Sequence, residues 1–220
     1  TSGRQIPLCG AMTAVATDLR YGTVNFSSPE SLFLLQAGFE VAAHLTQRTA
    51  AGGALRTMAK WPDAQAAAEK MMGALIGAMG GARSFCDAGQ LSVDEVFSYE
   101  QFVLDVEILA SVERFINGFP FETEPDPVEL LREGLETKNF LDHPLTAENM
   151  RSYYWYPQIF EQRMLGPWQS AGAKSVVEKA RDIARAKIDV QAPRVDDATL
   201  AKMNAVYERA AKTLQPVEEP

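Results

Sequence analysis

The sequence has few of the side chains that build disulfide scaffolds and structural metal sites. Its 220 residues include two cysteines, Cys9 and Cys86, and two histidines, His44 and His143. Cysteines so far apart do not indicate a disulfide framework, and a structural zinc site usually needs more Cys and His ligands than this chain offers. Each cysteine lies in a short apolar run typical of a strand. We therefore expect buried, reduced thiols and no metal bound directly by the chain.

Several familiar catalytic and ligand-binding motifs are also missing. The sequence contains no P-loop, no Gly-x-Gly-x-x-Gly stretch and no Gly-x-Ser-x-Gly nucleophile elbow. The paired glycines at 52–53 and 80–81 are interpreted as turns and helix ends. The pattern therefore points away from familiar nucleophilic and metal chemistry.

Positive charge and long apolar runs are scarce as well. The formal net charge is -8 and the sequence pI is about 4.9, so the surface repels phosphate backbones and we expect no nucleic-acid partner. No apolar run approaches the roughly 20 residues that span a bilayer. We expect a cytoplasmic protein that does not bind a membrane. The start, Thr1 to Arg4, lacks a signal-peptide pattern and an initial Met, which fits a processed or truncated chain.

The first part of the chain alternates short apolar runs with long amphipathic segments. The pattern predicts strands at 6–11, 54–57 and 83–87, and helices from 29 to about 46, from 62–63 to 79, and from 98 to about 117. Successive strand–helix units form a parallel sheet, so the fold class is α/β. Three such units do not close an eight-stranded barrel. They form either part of a barrel or a small open sheet.

Beyond residue 120 the pattern changes to helices and aromatic loops. It predicts a short helix at 127–131, an irregular aromatic stretch at 140–168, and helices at 171–188 and 197–214. The predicted domains are a partial barrel of about three βα units at 1–120, a helical extension packing on it at 121–215, and a disordered tail at 216–220. The aromatic run at 153–157 is interpreted as a clamp on the domain.

Ligands in parallel α/β folds bind at the carboxyl ends of the strands, which selects three loops. The candidates in and near these loops are Asp18, Arg20, Tyr21, Phe26, Asp87, Phe97, Tyr99 and Glu100. Each has a structural alternative: Asp18 and Arg20 form a loop salt bridge, Asp87 caps a turn, Glu100 complements a helix dipole, and the aromatic side chains fill a barrel mouth. The aromatic side chains are otherwise candidates for a box around a cation.

Six stretches of the chain keep the order of motifs in one known family. They are residues 18–22 with 28–30, 62–66 with 69–70, 87–89, 98–108, 140–144, and 156–163 with Trp168 and Gly172. They resemble the DMRTG … GSPE, PDAQAGYEK, HGAG, SYEKLVLDDEI, FLTHPHT and YPKLFDR … W … G motifs of the trimethylamine methyltransferase family. The chain is identified as a member by this resemblance, which extends from residue 9 to about residue 188.

The resemblance implies the C-terminal part of a (β/α)8 TIM barrel with additional C-terminal helices. It also implies an enzyme that moves a methyl group from a methylated amine to cob(I)alamin, a cofactor carried by a partner corrinoid protein. Some members carry pyrrolysine, which we expect between Gly52 and Lys60, where this sequence has ordinary residues only. We therefore expect a quaternary amine such as glycine betaine rather than trimethylamine.

The family also suggests roles for the candidate residues. Asp18, Asp87 and Glu100 form the predicted catalytic group, which balances the ammonium charge; Arg20 binds a substrate carboxylate, and Tyr21, Phe26, Phe97 and Tyr99 line the substrate. Methyl transfer to a Co(I) nucleophile needs no protein nucleophile, which agrees with the missing motifs.

The chain departs from the family in two respects. It covers about half the family's length. We therefore expect the other barrel strands to come from a missing N-terminal half or from a second chain. We also expect a homo-oligomer. Cys86-Asp87 replaces the usual His-Gly turn, which predicts a different substrate. The alternatives are a non-catalytic binding or scaffold subunit derived from a truncated barrel, and an α/β enzyme of another class.

Overall fold

Two short parallel strands, each followed by a helix, organise the chain. The computed structural model describes residues 14–46, 52–118, 126–190 and 195–213. Residues up to Asp182 form one compact unit, and residues from Ile183 form a second. The elements are β1 (Ala16–Asp18), β2 (Thr23–Asn25), α1 (Pro29–Thr46), β3 (Gly53–Ala54), α2 (Ala64–Met79), β4 (Phe85–Cys86), β5 (Gln90–Leu91), β6 (Val96–Phe97), α3 (Tyr99–Asn117), α4 (Pro127–Thr137), α5 (Pro144–Tyr153), α6 (Leu165–Ser170), α7 (Val176–Val190) and α8 (Asp197–Thr213).

The parallel pair consists of β3 and β4. Gly53 lies opposite Phe85 and Ala54 opposite Cys86, and α2 and α3 follow the two strands. The α/β character and these two strand–helix units confirm the prediction, while the first predicted strand, at 6–11, lies outside the described residues. Within the described part of the chain the strands form three two-stranded sheets.

Two loops of the predicted α/β pattern are antiparallel hairpins instead. Strand β1 pairs with β2, and β5 pairs with β6. Both hairpins were predicted as loops, because strands of two or three residues are too short to show alternation of apolar and polar side chains.

The prediction of a buried thiol is wrong for Cys86, which is exposed. Phe85 packs on the core, and the next side chain of a strand points to the opposite face. Cys9 lies outside the described residues.

The starts of the first three helices were predicted correctly because their capping residues are explicit. Ser28 accepts a hydrogen bond from the Ser31 N–H, Asp63 from Ala66, and Ser98 from Gln101. The C-terminal predictions were less accurate. Helix α4 continues to Thr137, α7 begins at Val176, and 140–168 contains α5 and the first four residues of α6. No residue of α5 or α6 is buried, so neither helix shows a strong apolar period.

The core lies between α2 and α3 and beneath β3. Its buried members are Leu55, Ala74, Ala78, Ile108 and Val112. A Cβ added at Gly77 would lie 3.2 Å from Cε1 of Phe85, so this position of α2 packs directly against the sheet. The many Ala and Gly residues of α2 allow this close packing.

A fully buried ion pair joins α2 to α3. Nζ of Lys70 lies 2.6 Å from Oδ2 of Asp105, and both side chains are 0% exposed. The same carboxylate accepts hydrogen bonds from the Gly89 N–H at 2.7 Å and from Nε2 of Gln101 at 2.7 Å. Burial lowers the pKa of Lys70 and raises the pKa of Asp105, while the attraction between the two charges opposes both shifts. The pair therefore fixes the loop after β4 as well as the two helices.

The preceding residue of α2 fixes a different loop. Oε2 of Glu69 accepts hydrogen bonds from Oγ1 of Thr57 at 2.6 Å, the Met58 N–H at 2.8 Å and Oγ of Ser27 at 2.9 Å. Partial burial raises the pKa of Glu69, but the hydrogen bonds, led by that from Thr57, lower it by more. The pKa of Glu69 therefore lies below its ordinary value. Glu69 thus joins the segment after β3 to the segment after β2.

The C-terminal segment of the first unit is attached to α3 by a buried carboxylate. Oε1 of Glu107 accepts hydrogen bonds from the Ile159 N–H at 2.9 Å and the Phe160 N–H at 3.3 Å. Ile159 is buried, and the Trp155 and Phe160 rings pack edge to face. The clamp predicted at 153–157 stays a prediction, because the attachment to α3 described here is made by Ile159 and Phe160. The predicted boundary near residue 120 stays a prediction, and the tail at 216–220 lies outside the described residues.

Removing one charge of the buried pair should destabilise the protein more than removing both. Lys70→Met leaves the Asp105 carboxylate buried without its cation, and we expect a loss of about 3–5 kcal/mol in unfolding free energy. Combining it with Asp105→Asn keeps an acceptor for the Gly89 N–H and should restore part of the loss. Urea denaturation measures all three proteins, with the exposed Lys202→Met as the control. A double variant no more stable than Lys70→Met would contradict this account.

Glu69 should stabilise the fold at neutral pH and lose that effect in acid. Its pKa is lowered on folding, so its contribution is complete above the unfolded value of about 4.3 and is lost as the pH falls through the folded value. The stability difference between the parent protein and Glu69→Gln should therefore shrink below about pH 4. Denaturation from neutral pH to about pH 3 measures it, with Glu136→Gln as the control. A constant difference would show that Glu69 acts through packing alone.

Candidate functional site

An arginine and a carboxylate meet at the carboxyl ends of the parallel strands. Arg56 follows β3 and Asp87 follows β4, and Nε of Arg56 lies 2.7 Å from Oδ2 of Asp87. The guanidinium carbon of Arg56 is also 4.3 Å from the centre of the Phe26 ring. We refer to Phe26, Arg56 and Asp87 as the Arg56 cluster. The edge of the sheet where it lies is the one where α/β folds bind ligands.

Asp87 adopts a backbone conformation that is uncommon for a residue with a side chain. Its φ is +67°, in the left-handed region, and its carbonyl oxygen accepts a hydrogen bond from the Gln90 N–H. Nζ of Lys70 lies 3.5 Å from the same oxygen. Such conformations persist where the surroundings fix them, and they concentrate at functional sites. The backbone thus directs the Asp87 carboxylate towards Arg56.

The position of Phe26 depends on the residues that flank the cluster. Ser27 and Thr57 follow Phe26 and Arg56 in sequence, and both donate hydrogen bonds to Oε2 of Glu69. One carboxylate therefore places the Phe26 ring beside the guanidinium. Sequence reasoning selected Phe26 and Asp87 but missed Arg56, because it placed that residue within a strand. The structure ends β3 at Ala54, which makes Arg56 a loop residue at a strand end.

Two further predicted residues form an aromatic pair beside the loop after β4. The ring centres of Phe97 and Tyr99 are 5.2 Å apart and the rings are nearly perpendicular. A Cβ at Gly89 would lie 2.5 Å from Cε2 of Phe97, so this loop packs directly on the ring. Phe97 and Tyr99 are 54% and 57% exposed. Both residues are therefore partly accessible, and aromatic rings attract cations.

Asp18, Arg20 and Tyr21 form a local group on the β1–β2 hairpin. Nε and Nη2 of Arg20 bind the two carboxylate oxygens of Asp18 at 3.0 Å and 2.6 Å. The hydrogen bond from Arg20 lowers the pKa of Asp18 to about 2. The Arg20 guanidinium also lies 5.5 Å from the Tyr21 ring centre. Of the alternatives left open by the sequence, the loop salt bridge is the one that forms.

Glu100 is paired at the first turn of α3. Nε of Arg181, on α7, lies 3.0 Å from Oε1 of Glu100, and Oγ of Ser98 donates to Oε2 at 3.0 Å. Its own backbone N–H, then Arg181 and Ser98, lower the pKa of Glu100. Each of the three carboxylates predicted to be catalytic therefore has an arginine partner.

In the described part of the chain, no group of three or more His, Cys, Asp or Glu side chains is placed so that it could hold a metal ion. In the same ranges, no helix is both long and apolar enough to cross a bilayer.

The sequence analysis also missed two buried residues near the loop after β4, Lys70 and Gln101, as positioning groups. Lys70 stands in one of the motifs that carried the resemblance, but a motif does not show which side chains are buried.

Comparison with known proteins places the chain in a family. The family model described as trimethylamine methyltransferase (MTTB) matches residues 3–214. Trimethylamine methyltransferase MttB1 of Methanosarcina acetivorans is 33% identical over 200 residues, and MttB2 of Methanosarcina mazei 32% over 202; each alignment covers 90% of this chain and 40% of the relative. A glycine betaine methyltransferase of Desulfitobacterium hafniense is 25% identical over 163 residues, covering 74% of this chain and 34% of that protein.

The chain thus spans about two fifths of the length of the curated relatives that it matches. The match nevertheless extends through nearly all of the described residues, including the Arg56 cluster and the Phe97–Tyr99 pair. The chain belongs to the trimethylamine methyltransferase family.

Proposed function

We propose that this chain is the C-terminal part of a methyltransferase that moves a methyl group from a quaternary amine to the cob(I)alamin of a corrinoid protein. The supporting observation is the family match over residues 3–214, together with a polar and aromatic cluster at the carboxyl ends of β3 and β4. Relatives named for trimethylamine and for glycine betaine place methylated amines first among the substrates to test.

The proposed architecture is a (β/α)8 barrel completed by residues beyond this chain. The relatives' additional length would supply the other strands, either in the same polypeptide or as a second chain. Strands β3 and β4 would be neighbours in the barrel, which fits their parallel pairing and the helices that follow them. Assembly as a homo-oligomer in the cytoplasm belongs to the same proposal.

The chain's residues bind and orient the amine, and the corrinoid carried by the partner protein supplies the Co(I) nucleophile. The ammonium group binds against the faces of Phe97 and Tyr99, where cation–π attraction offsets its lost hydration. When the carbon–nitrogen bond breaks, the electron pair stays on nitrogen and a neutral tertiary amine leaves. No proton has to be donated to that leaving group, so the site needs no general acid. Holding the methyl carbon in line with the acceptor is the main contribution of the protein.

The three candidate carboxylates have different parts in this proposal. Asp87 lies at the strand end and fixes Arg56, so it acts as a positioning residue within the site. Asp18 and Glu100 contribute negative charge at the hairpin and at the start of α3, where arginine partners compensate it. Tyr21 and Arg20 lie at the tip of the hairpin, beside Asp18.

The test is a methyl-transfer assay on the protein expressed from its own gene. Cob(I)alamin is supplied with glycine betaine, tetramethylammonium or trimethylamine, and formation of the methylated corrinoid is followed by absorbance. Turnover with a quaternary amine supports the proposal. Amine binding without any methyl transfer would favour the alternative, a binding or scaffold subunit.

Asp87→Asn should reduce activity far more than stability. Asn tolerates the left-handed conformation that Asp87 adopts, so the melting temperature should change by no more than a few degrees. Losing the charge that fixes Arg56 should lower kcat/KM by about tenfold or more, mainly through KM. The matched control is Asp94→Asn, an exposed aspartate in the β5–β6 connection. Unchanged turnover in Asp87→Asn would contradict a role for Asp87 in the site.

Tyr99→Leu should weaken the binding of a quaternary amine. A cation–π contact contributes about 0.5–2 kcal/mol, so the dissociation constant should rise by about 2-fold to 30-fold. Titration calorimetry with tetramethylammonium measures the change. Tyr154→Leu is a close control, because Tyr154 is similarly exposed and packs edge to face on Tyr156 with ring centres 5.2 Å apart. Equal losses in both variants would contradict a cation site at Tyr99.

A further inference from the structure

Arg56 occupies the position in its cluster that a substrate cation would otherwise take. Its guanidinium lies over the face of Phe26, with the carbon 4.3 Å from the ring centre, and Nε binds the Asp87 carboxylate at 2.7 Å. An aromatic face and a carboxylate are the two groups that stabilise a bound ammonium ion. Both are already used by the protein's own cation, so the ammonium of a substrate does not bind in this cluster.

The guanidinium of Arg56 has a second edge, formed by Nη1 and Nη2. Nε donates to Asp87, and within the described ranges neither Nη1 nor Nη2 has a hydrogen-bond partner. The side chain is 33% exposed, so this edge is accessible. Its place is fixed on several sides by Asp87, by Phe26 and by the Glu69 hydrogen bonds to the neighbouring Thr57 and Ser27. A guanidinium held in this way presents two parallel N–H donors to an anion.

Three other arginines that bind carboxylates of the protein, Arg20, Arg163 and Arg181, are more exposed than Arg56. Arg20 uses both Nε and Nη2 on the two oxygens of Asp18. Arg163 uses the same two atoms on Glu161. The Arg20 side chain is 79% exposed and that of Arg163 47%, so solvent competes for their remaining donors more strongly than at Arg56, which is 33% exposed. Arg20, predicted from the sequence to bind a substrate carboxylate, is therefore less suited to that role than Arg56.

We propose that Arg56 is a specificity-determining residue that binds an oxyanion carried by the methylated amine. This inference rests on the proposed function, in which the ammonium group binds at Phe97 and Tyr99. The substrate class is then a zwitterion that carries a quaternary ammonium and a carboxylate or a similar oxyanion. A purely cationic amine gains nothing from Arg56 and is repelled by its charge.

The test compares ligands that differ in charge, using binding in the absence of the corrinoid. Titration calorimetry on the full protein uses glycine betaine as the zwitterion, tetramethylammonium as the cation and acetate as the anion alone. The protein should bind glycine betaine more tightly than either of the others. In Arg56→Met, binding of glycine betaine should weaken by about tenfold or more, while binding of tetramethylammonium stays the same or tightens.

Two further variants control the experiment. Arg132→Met removes an exposed arginine that pairs with Glu129 on α4, and should leave the order of the three ligands unchanged. Arg56→Lys keeps the charge without the paired donors, so its binding of glycine betaine should fall between those of the parent protein and Arg56→Met. This variant also provides the comparison if Arg56→Met fails to fold.

The outcomes separate this inference from the proposed function. Equal weakening of glycine betaine and tetramethylammonium in Arg56→Met, or no weakening of either, would overturn the role of Arg56. Acetate binding as tightly as glycine betaine would also overturn it, because Arg56 would then be a general anion site. Selective binding of the zwitterion without methyl transfer would support Arg56 and contradict the proposed enzyme.

Discussion

The structure depends most on the ion pair of Lys70 and Asp105, which is enclosed by α2, α3 and the loop after β4. Neither side chain contacts solvent, so each charge relies on the other and on the donors from Gly89 and Gln101. A buried charge without its partner is far less stable than an exposed one, and this restricts how the two helices can be placed. The pair therefore fixes the packing angle of α2 on α3, and with it the direction in which the chain leaves β4.

Glu69 extends the same restriction to the edge of the sheet where the Arg56 cluster lies. It precedes Lys70 in α2, and its carboxylate binds the residues that follow Phe26 and Arg56. Two consecutive side chains of one helix thus hold the loops from three different strands. The Arg56 cluster lies where these loops meet, so its geometry is set by residues that do not themselves face a ligand. Such support is what an arginine needs if it is to keep two donors parallel.

The sequence predicted local structure well and tertiary contacts poorly. Ser28, Asp63 and Ser98 marked helix starts because a cap is formed by residues within one turn. Strands β3 and β4 were placed to within a few residues, whereas the hairpins and α5 were missed for lack of a period. Arg56 and Asp87 are separated by 31 positions, and nothing in either local sequence indicates that they meet. Asp87 was selected only because it follows a strand, and the strand-end rule would have selected Arg56 if β3 had been predicted to end at Ala54.

The distribution of arginines also explains why carboxylates alone were a poor guide to the site. Asp18, Asp87 and Glu100 were selected by their position in or near the loops at strand ends, and the family resemblance then suggested that they balance an ammonium charge. Each of them binds an arginine of the protein. An exposed pair such as Asp18 with Arg20 contributes little and is screened by solvent. The pair of Asp87 with Arg56 is less exposed, and its guanidinium lies over an aromatic ring. Excluding water there would strengthen the field of Arg56, since charges interact more strongly away from solvent. The same residue that blocks a cation at Phe26 would then attract an anion more strongly.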